Sequence, residues 1–420
     1  VKLNFSLKSE VADKEKCFCY TTYNEYKAGG GNMNIKVTQQ AAKKIKKGYP
    51  LIQEEDLVQK IETNEWVTFT DSKGTYLAQG YLGRQNKGIG WLLTRENCPI
   101  NHDFFVQRFA TAKAKRQAYY ADTQTTAFRV INGEGDELGG LIIDLYNEYA
   151  VFSWYNETFY HQKATIVEAF QEVFPEIKGA YEKIRFESTL PESQFVYGEQ
   201  APEPLVMKEN GIQYATYLNE GLMTGIFLDQ REVRGLLAEG FASGKTVLNM
   251  FSYTGAFSIA AAMGGAIQTT SVDLAKRSLP KTKEQFAVNG LAEDQQKIHV
   301  MDTFEYFKYA KKKELSFDLI VLDPPSFARN KKKVFRVAKN YGELIEDSVD
   351  ILTKDGVIIA STNAANVSPQ RFQQMIEDAF VKKGVDFEKI ATYHLPSDFA
   401  VYPHFPEGDY LKVYFYQVKK

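Results

Sequence analysis

Cysteine is nearly absent from this chain: Cys17, Cys19 and Cys98 are the only three in 420 residues. So sparse a set supports neither a disulfide framework nor a thiolate zinc site, and the five histidines fall at no ligand spacing. No metal is therefore expected. Long apolar runs are missing too. Nothing approaches the roughly 20 consecutive residues needed to cross a bilayer, and no basic segment followed by an apolar one opens the sequence. A membrane partner is thus not expected, and the cytoplasm is the expected compartment. Charge of one sign is also lacking: 51 Lys and Arg against 53 Asp and Glu leave a net charge of −2. A nucleic-acid partner would have to be held by local basic patches, because the bulk charge gives it no field to follow.

What is present is the composition of a folded protein, 44% hydrophobic and 25% charged. The chain is too long for one core, so two or three domains are expected. Residues 1–32 are polar, weakly periodic and end in Gly29-Gly30-Gly31-Asn32, which reads as a leader not native to the fold, with folding starting at Met33. Residues 33–101 hold short strand-like runs such as Trp66 to Phe69, Thr75 to Tyr81 and Ile89 to Leu93, separated by Asp71, Gly74, Gly83 and Gly88. A compact β-rich module is expected there. Its basic run, Lys43 to Lys47, suits either phosphates or the solvated face of a helix. Residues 102–202 read as an α+β middle domain, with a long helix from Phe104 to Tyr120, strands Gly140 to Asp144 and Ala150 to Trp154, and a helix from Lys163 to Phe174. That segment displays no chemistry of its own.

From residue 203 to 420 apolar strands alternate with amphipathic helices, the pattern of βαβ units on a parallel sheet. The expected fold class is α/β, a Rossmann-like doubly wound domain whose ligand lies at the carboxyl ends of its strands. Strands are expected at Thr246 to Met250, Gln268 to Asp273, Lys297 to Met301, Asp318 to Leu322 and Gly356 to Ser361. Tyr410 to Val418 reads as a strand returning antiparallel at the sheet edge.

Four constellations carry chemistry. Asn249-Met250-Phe251-Ser252-Tyr253-Thr254-Gly255 joins a buried strand to a helix through a turn that lets backbone approach a ligand. It is not GxGxxG, which disfavours NAD. Asp273-Leu274 ends the next strand about 20 residues on, where such folds hold a ribose diol, although a helix N-cap is the plainer role for such an acid. Asp302-Thr303 follows the third strand and suits an adenine amino group or, again, a helix cap. Leu322-Asp323-Pro324-Pro325 places an acid on a loop stiffened by two prolines, from which Asp323 can accept a hydrogen bond from a base edge.

In this order and spacing the four features resemble the class I S-adenosylmethionine-dependent methyltransferases. With Phe227-Leu228-Asp229-Gln230-Arg231 they are similar to one bacterial family, large-subunit rRNA methyltransferases with an N-terminal PUA domain, known as cytosine-C5 enzymes. The resemblance spans Met33 to Lys420. It implies a PUA-like RNA-binding domain at 33–101, S-adenosylmethionine as cofactor with S-adenosylhomocysteine as product, and ribosomal RNA as partner, and it admits a homodimer. Phe227, Gln230, Arg231, Asn249, Phe251, Ser252, Thr254, Gly255, Asp273, Leu274, Asp302, Thr303 and Asp323 are the implied cofactor residues, with Asp323 and Asn363 positioning the base. The family places a cysteine in the loop after the strand at Gly356 to Ser361. Here Thr362 stands in its place, and a hydroxyl is a far poorer nucleophile than the thiolate that C5 chemistry uses. Guanine nitrogen, the target of related enzymes with Asp-Pro-Pro and an Asn-containing loop, remains the alternative, as does a small-molecule substrate. RNA contacts are expected from Arg329, Lys331, Lys332, Lys333 and Arg336, a cationic stretch beside the presumed active-site mouth.

Overall fold

Turn residues cut the start of the folded chain into strands too short to bury a core singly, and they associate into a five-stranded sheet. The computed structural model describes residues 33–85, 87–292, 295–329 and 334–420. The expected leader, with Cys17 and Cys19, lies outside the described residues. The first unit comprises β1 (Met33–Lys36), α1 (Gln39–Lys46), β2 (Leu51–Ile52), β3 (Trp66–Thr70), β4 (Tyr76–Gln85) and β5 (Gly88–Thr94), in sheet order β1-β3-β4-β5-β2. Thr38 caps α1 by accepting from the Ala41 amide, and Ala41, Ala42 and Ile45 face the core. Lys43, Lys46 and Lys47 are exposed, whereas Lys44 pairs with Asp56 at 3.2 Å.

The middle unit holds α2 (His102–Lys115), α3 (Gln117–Tyr120), β6 (Ala127–Asn132), β7 (Leu141–Tyr146), β8 (Tyr149–Trp154), α4 (Glu157–Tyr160), α5 (Lys163–Val173), β9 (Gly179–Ile184) and β10 (Ser193–Gly198). Its sheet order is β10-β9-β8-β7-β6. The helix expected from Phe104 to Tyr120 is broken at Arg116, where φ is −112° and ψ is 18°. The Arg116 guanidinium turns inward, forks onto Asp136 at 3.0 and 2.7 Å and donates to the Asp398 carbonyl. These bonds replace the solvent that a helix-surface arginine would keep.

After the hairpin β11 (Leu205–Glu209) and β12 (Ile212–Thr216) comes α6 (Arg231–Leu236), then β13 (Thr246–Met250), α7 (Ala256–Met263), β14 (Gln268–Asp273), α8 (Ser278–Val288), β15 (Gln296–Val300), α9 (Thr303–Lys312) and β16 (Phe317–Leu322). A hairpin of β17 (Phe327–Arg329) and β18 (Val334–Arg336) leads into α10 (Val337–Ile351), β19 (Leu352–Thr362), α11 (Pro369–Lys383), β20 (Asp386–Tyr393) and β21 (Lys412–Lys419). The seven strands run in the order β15-β14-β13-β16-β19-β21-β20. Helices cover both faces, so β13 and β16 are buried over nearly their whole length. The final strand is antiparallel to β19, as its sequence suggests, yet it is not the edge. β20 pairs with its far side and takes that place. The residues of β20 are mostly polar and partly exposed, as an edge strand tolerates, which is why no apolar run announces it.

Buried side chains of the middle sheet, the β11–β12 hairpin and one face of the large sheet form one hydrophobic cluster. The segment between β20 and β21 returns across the middle sheet, and Asp398 fastens it. Its carboxylate accepts from the Arg129 amide at 2.8 Å and ion-pairs with Arg231.

Candidate active site

The turn after β13 is the most constrained backbone of the large domain. Phe251, Tyr253 and Gly255 take φ values of 58°, 52° and 85°, alternating left-handed residues that bring successive backbone groups to one side. Two of the three carry side chains, so the conformation needs external support. The Ser252 amide donates to Val272 O at 3.0 Å and the Tyr253 amide to Asp273 Oδ2 at 2.9 Å. The Thr254 hydroxyl donates to Gly225 O at 2.6 Å, while the Gly225 amide donates to the Tyr253 hydroxyl at 3.1 Å. The turn and the segment before α6 are thereby clamped together over the carboxyl ends of β13 and β14.

Beside this turn lies a cavity of about 900 Å³. Phe227, Gln230, Phe251, Thr254, Asp273, Leu274, Asp302, Thr303, Asp323 and Asn363, all implied by the sequence, line it. Arg231, Asn249, Ser252 and Gly255 do not. Arg231 is buried in its pair with Asp398; Asn249 lies behind the turn, donating to Ser258 Oγ at 3.0 Å; and a Cβ on Gly255 would meet Thr282 at 2.7 Å. Asp302 also fills the plainer role, its Oδ1 capping α9 by accepting from the Phe304 and Glu305 amides. Tyr217, Arg277 and Phe335 line the cavity unheralded, since none belongs to a motif that points to chemistry, and Tyr253 lines it from within the turn motif.

Burial sets the electrostatics. Asp323 is pushed up to about 6 by desolvation, with the neighbouring charge of Asp229 adding to the effect, against hydrogen bonds involving Ser361 and Gln230. Gln230 Nε2 donates to Asp323 Oδ1 at 3.2 Å and to Ser361 Oγ at 2.7 Å. Gln230 Oε1 and Asn249 Oδ1 are buried without a hydrogen-bond partner among the described residues. Ser326 Oγ donates to Asn363 Oδ1 at 2.8 Å.

A second cavity, of about 1090 Å³, adjoins the first and is walled on its far side by β6, β7 and β8. Phe227, Asp229, Tyr253 and Asn363 line both. Among the described residues, neither is lined by a thiol. Thr362 is fully buried in β19, its hydroxyl accepting from the Ala364 amide at 3.2 Å, and Cys98 packs beside the core of the middle unit. Of the expected RNA-contacting cations, Arg336 is exposed with its guanidinium 5.7 Å from the Phe327 ring centroid. Arg329 contributes its backbone to β17, and Lys331, Lys332 and Lys333 lie outside the described residues.

The donor set fits a sulfonium nucleoside. Asp273 ends its strand facing the cavity, apolar Leu274, Phe304 and Phe335 offer a surface for a flat base, and the orphaned Gln230 oxygen awaits a donor such as an ammonium. A doubly wound sheet with such a cleft at its strand ends defines a class, and comparison with known families agrees. The S-adenosylmethionine-dependent methyltransferase model matches residues 186–399, and the chain belongs to that family. A PUA-like domain model matches residues 35–95. Among curated relatives, the "Putative ribosomal RNA large subunit methyltransferase YwbD" of Bacillus subtilis is 48% identical over 386 residues, spanning 90% of this chain and 98% of its own. Ribosomal RNA large subunit methyltransferase I of Shewanella amazonensis is 32% identical over 327 residues, 77% of this chain and 82% of its own. Among solved structures, SMU.776, "a putative methyltransferase complexed with SAH", superposes with a TM-score of 0.88 at 46% identity over 92% of this chain and all of that one.

Proposed function

We propose that this methyltransferase acts on a base of large-subunit ribosomal RNA, and that the methyl acceptor is a ring or exocyclic nitrogen. The substrate class rests on the names of the relatives and on the PUA-like match, with 33–101, 102–202 and 203–420 as the RNA-holding, middle and catalytic domains. Action on ribosomal RNA accords with the expected cytoplasmic compartment.

The single observation that carries the choice of atom is the burial of Thr362. Methylation at C5 of a pyrimidine uses a thiolate that adds to C6, whereas a base nitrogen already carries a lone pair. The position where that thiolate would stand holds a hydroxyl with no exposure, and Cys98 lines neither cavity.

Bound S-adenosylmethionine supplies a methyl group already activated on its sulfonium. Asp273 holds the ribose hydroxyls, Asp302 and Leu274 the adenine, and Phe227, Gln230, Phe251 and Thr254 the methionine end. Asn363 sits where the two cavities meet, and Ser326 occupies its carbonyl oxygen, so its amide N–H groups are left to donate to the base. Asp323 accepts from the opposite edge. Such fixation supplies rate by holding donor and acceptor at attack distance. The exposed Arg336 beside the cavity serves phosphates, together with the cationic stretch from Arg329 through Lys331, Lys332 and Lys333.

The test is methylation of large-subunit rRNA from cells that lack this protein, followed by mass-spectrometric mapping. One new N-methylated nucleotide is expected. A C5-methylated cytosine, or transfer only to small molecules, would overturn the reading.

A further inference from the structure

The second cavity has more volume than one cofactor needs, and its wall is built from strands whose sequence displays no chemistry. Its floor is polar. Arg129, on β6, is forked onto Asp144 at 2.8 and 3.1 Å, so its charge is already matched. Arg234 is likewise held by Glu209. Asp229 has therefore been left without an ion pair among the described residues, although it is half-buried at the junction of the two cavities. The Tyr410 hydroxyl donates to its Oδ2 at 3.0 Å, and no described residue hydrogen-bonds Oδ1. That oxygen is not sealed from solvent and is free to accept a hydrogen bond from a ligand in the cavity.

The mouth of the same cavity is cationic. Half-buried Arg185 lies just beyond β9, with buried Lys183 on the same face behind it, and neither has a carboxylate partner among the described residues. Lys183 donates to Ser193 Oγ and Gly221 O, and Arg185 to Leu222 O at 2.7 Å, with its guanidinium 5.7 Å from the centroid of the Tyr155 ring. Arg84, on β4 of the first sheet, reaches the cavity from the other side, is exposed and hydrogen-bonds no described residue. Cations at the mouth, an aromatic side and an unmatched acceptor on the floor form the sequence of groups that phosphate, base face and base edge require.

We propose that this cavity receives the target nucleotide turned out of the RNA, with Asp229 accepting hydrogen bonds from N–H groups of the base, Tyr410 positioning that carboxylate, and Arg185 and Arg84 holding the flanking phosphates. Base extrusion is the general solution where a reacting atom is stacked and out of reach. The inference rests on the reading of the chain as an rRNA methyltransferase, and assigns the middle sheet the task of seating the substrate opposite the methyl donor.

The test compares wild type with Asp229→Asn and Arg84→Ala, reading methyl transfer to rRNA, the Kd for S-adenosylhomocysteine, and the salt dependence of RNA binding. Asp229→Asn keeps an oxygen for Tyr410 but loses the charge. It is expected to lower kcat/KM for RNA about tenfold or more while the cofactor Kd stays within about twofold. Arg84→Ala, whose side chain hydrogen-bonds no described residue, is expected to raise KM and reduce the slope of log K against log salt by about one. If Asp229→Asn weakens the cofactor instead, the carboxylate belongs to the cofactor site and the assignment is wrong. If wild type methylates RNA and both variants match it, the cavity is not the nucleotide site. A wild-type protein that transfers no methyl to rRNA would instead remove the underlying reading, which keeps the two failures apart.

Discussion

Asp323 carries the sharpest expectations because its surroundings oppose its charge. In the proposed role of acceptor at the base edge it must be ionised, and burial pushes it up to about 6 from the ordinary 3.8. The rate should therefore fall as the pH drops through about 6, and the acid limb of kcat/KM should move to lower pH in Asp229→Asn, which removes the neighbouring negative charge. Stability runs the opposite way. A carboxyl raised on folding favours the folded state when protonated, so its contribution is largest below 3.8 and is lost as the pH rises to about 6. Asp323→Asn should accordingly melt above wild type at pH 7.5 while losing most activity, and Asp323→Ala should lose about a hundredfold or more in kcat with the cofactor Kd little changed. A melting temperature below wild type for Asp323→Asn would show that the carboxylate is matched by charges in the folded state.

Among elements, the segment between β20 and β21 depends on one residue. Asp398 is fully buried and serves Arg231 through an ion pair and Arg129 through its amide, while its carbonyl takes the Arg116 guanidinium. Asp398→Ala strands a buried arginine, and urea unfolding should show a loss of about 3–5 kcal/mol, far above the surface-pair range. The same segment closes on the turn after β6, where a Cβ on Gly135 would sit 1.8 Å from the Ala400 carbonyl oxygen, so Gly135→Ala should weaken the same packing. None of this is visible in the sequence, because the partners of Asp398 stand 167 to 282 residues away and no local periodicity links them. By contrast, β13 and β16 declare themselves as apolar runs, β14 does so by its place in the βαβ series rather than by its polar residues, and the turn that follows β13 does so through its small residues. The site is legible to the same extent: acids at strand ends are found from spacing, whereas Asp229, Tyr253 and Tyr410 matter only through which cavity they reach. Arg231 shows the converse: nothing in the motif reveals that its side chain is engaged in holding two elements together.

For the molecule as a whole, the first sheet is not a loosely tethered RNA hook. Leu51, Tyr81, Trp91 and Leu93 belong to the same buried cluster as the core of the middle unit, and Tyr81 donates to Gly139 O at 2.7 Å. Phe405, from the segment that Asp398 fastens, packs with ring centroids 5.4 Å from Trp91 and 5.5 Å from Tyr49. Apolar burial continuous across the first and middle sheets makes separate melting of the first sheet costly, because its release would expose a face of the middle unit and the returning segment together. Calorimetry should thus record one cooperative transition, and Trp91→Ala, at about 3–5 kcal/mol, should lower that transition without splitting it. S-adenosylhomocysteine at about a hundredfold over its Kd should raise the same transition, by about 2.7 kcal/mol of stability, even though no residue of the first sheet lines its cavity. An early transition in Trp91→Ala that the cofactor product leaves in place would mean that the first sheet moves independently, and RNA held there would then have no fixed reach to the methyl donor.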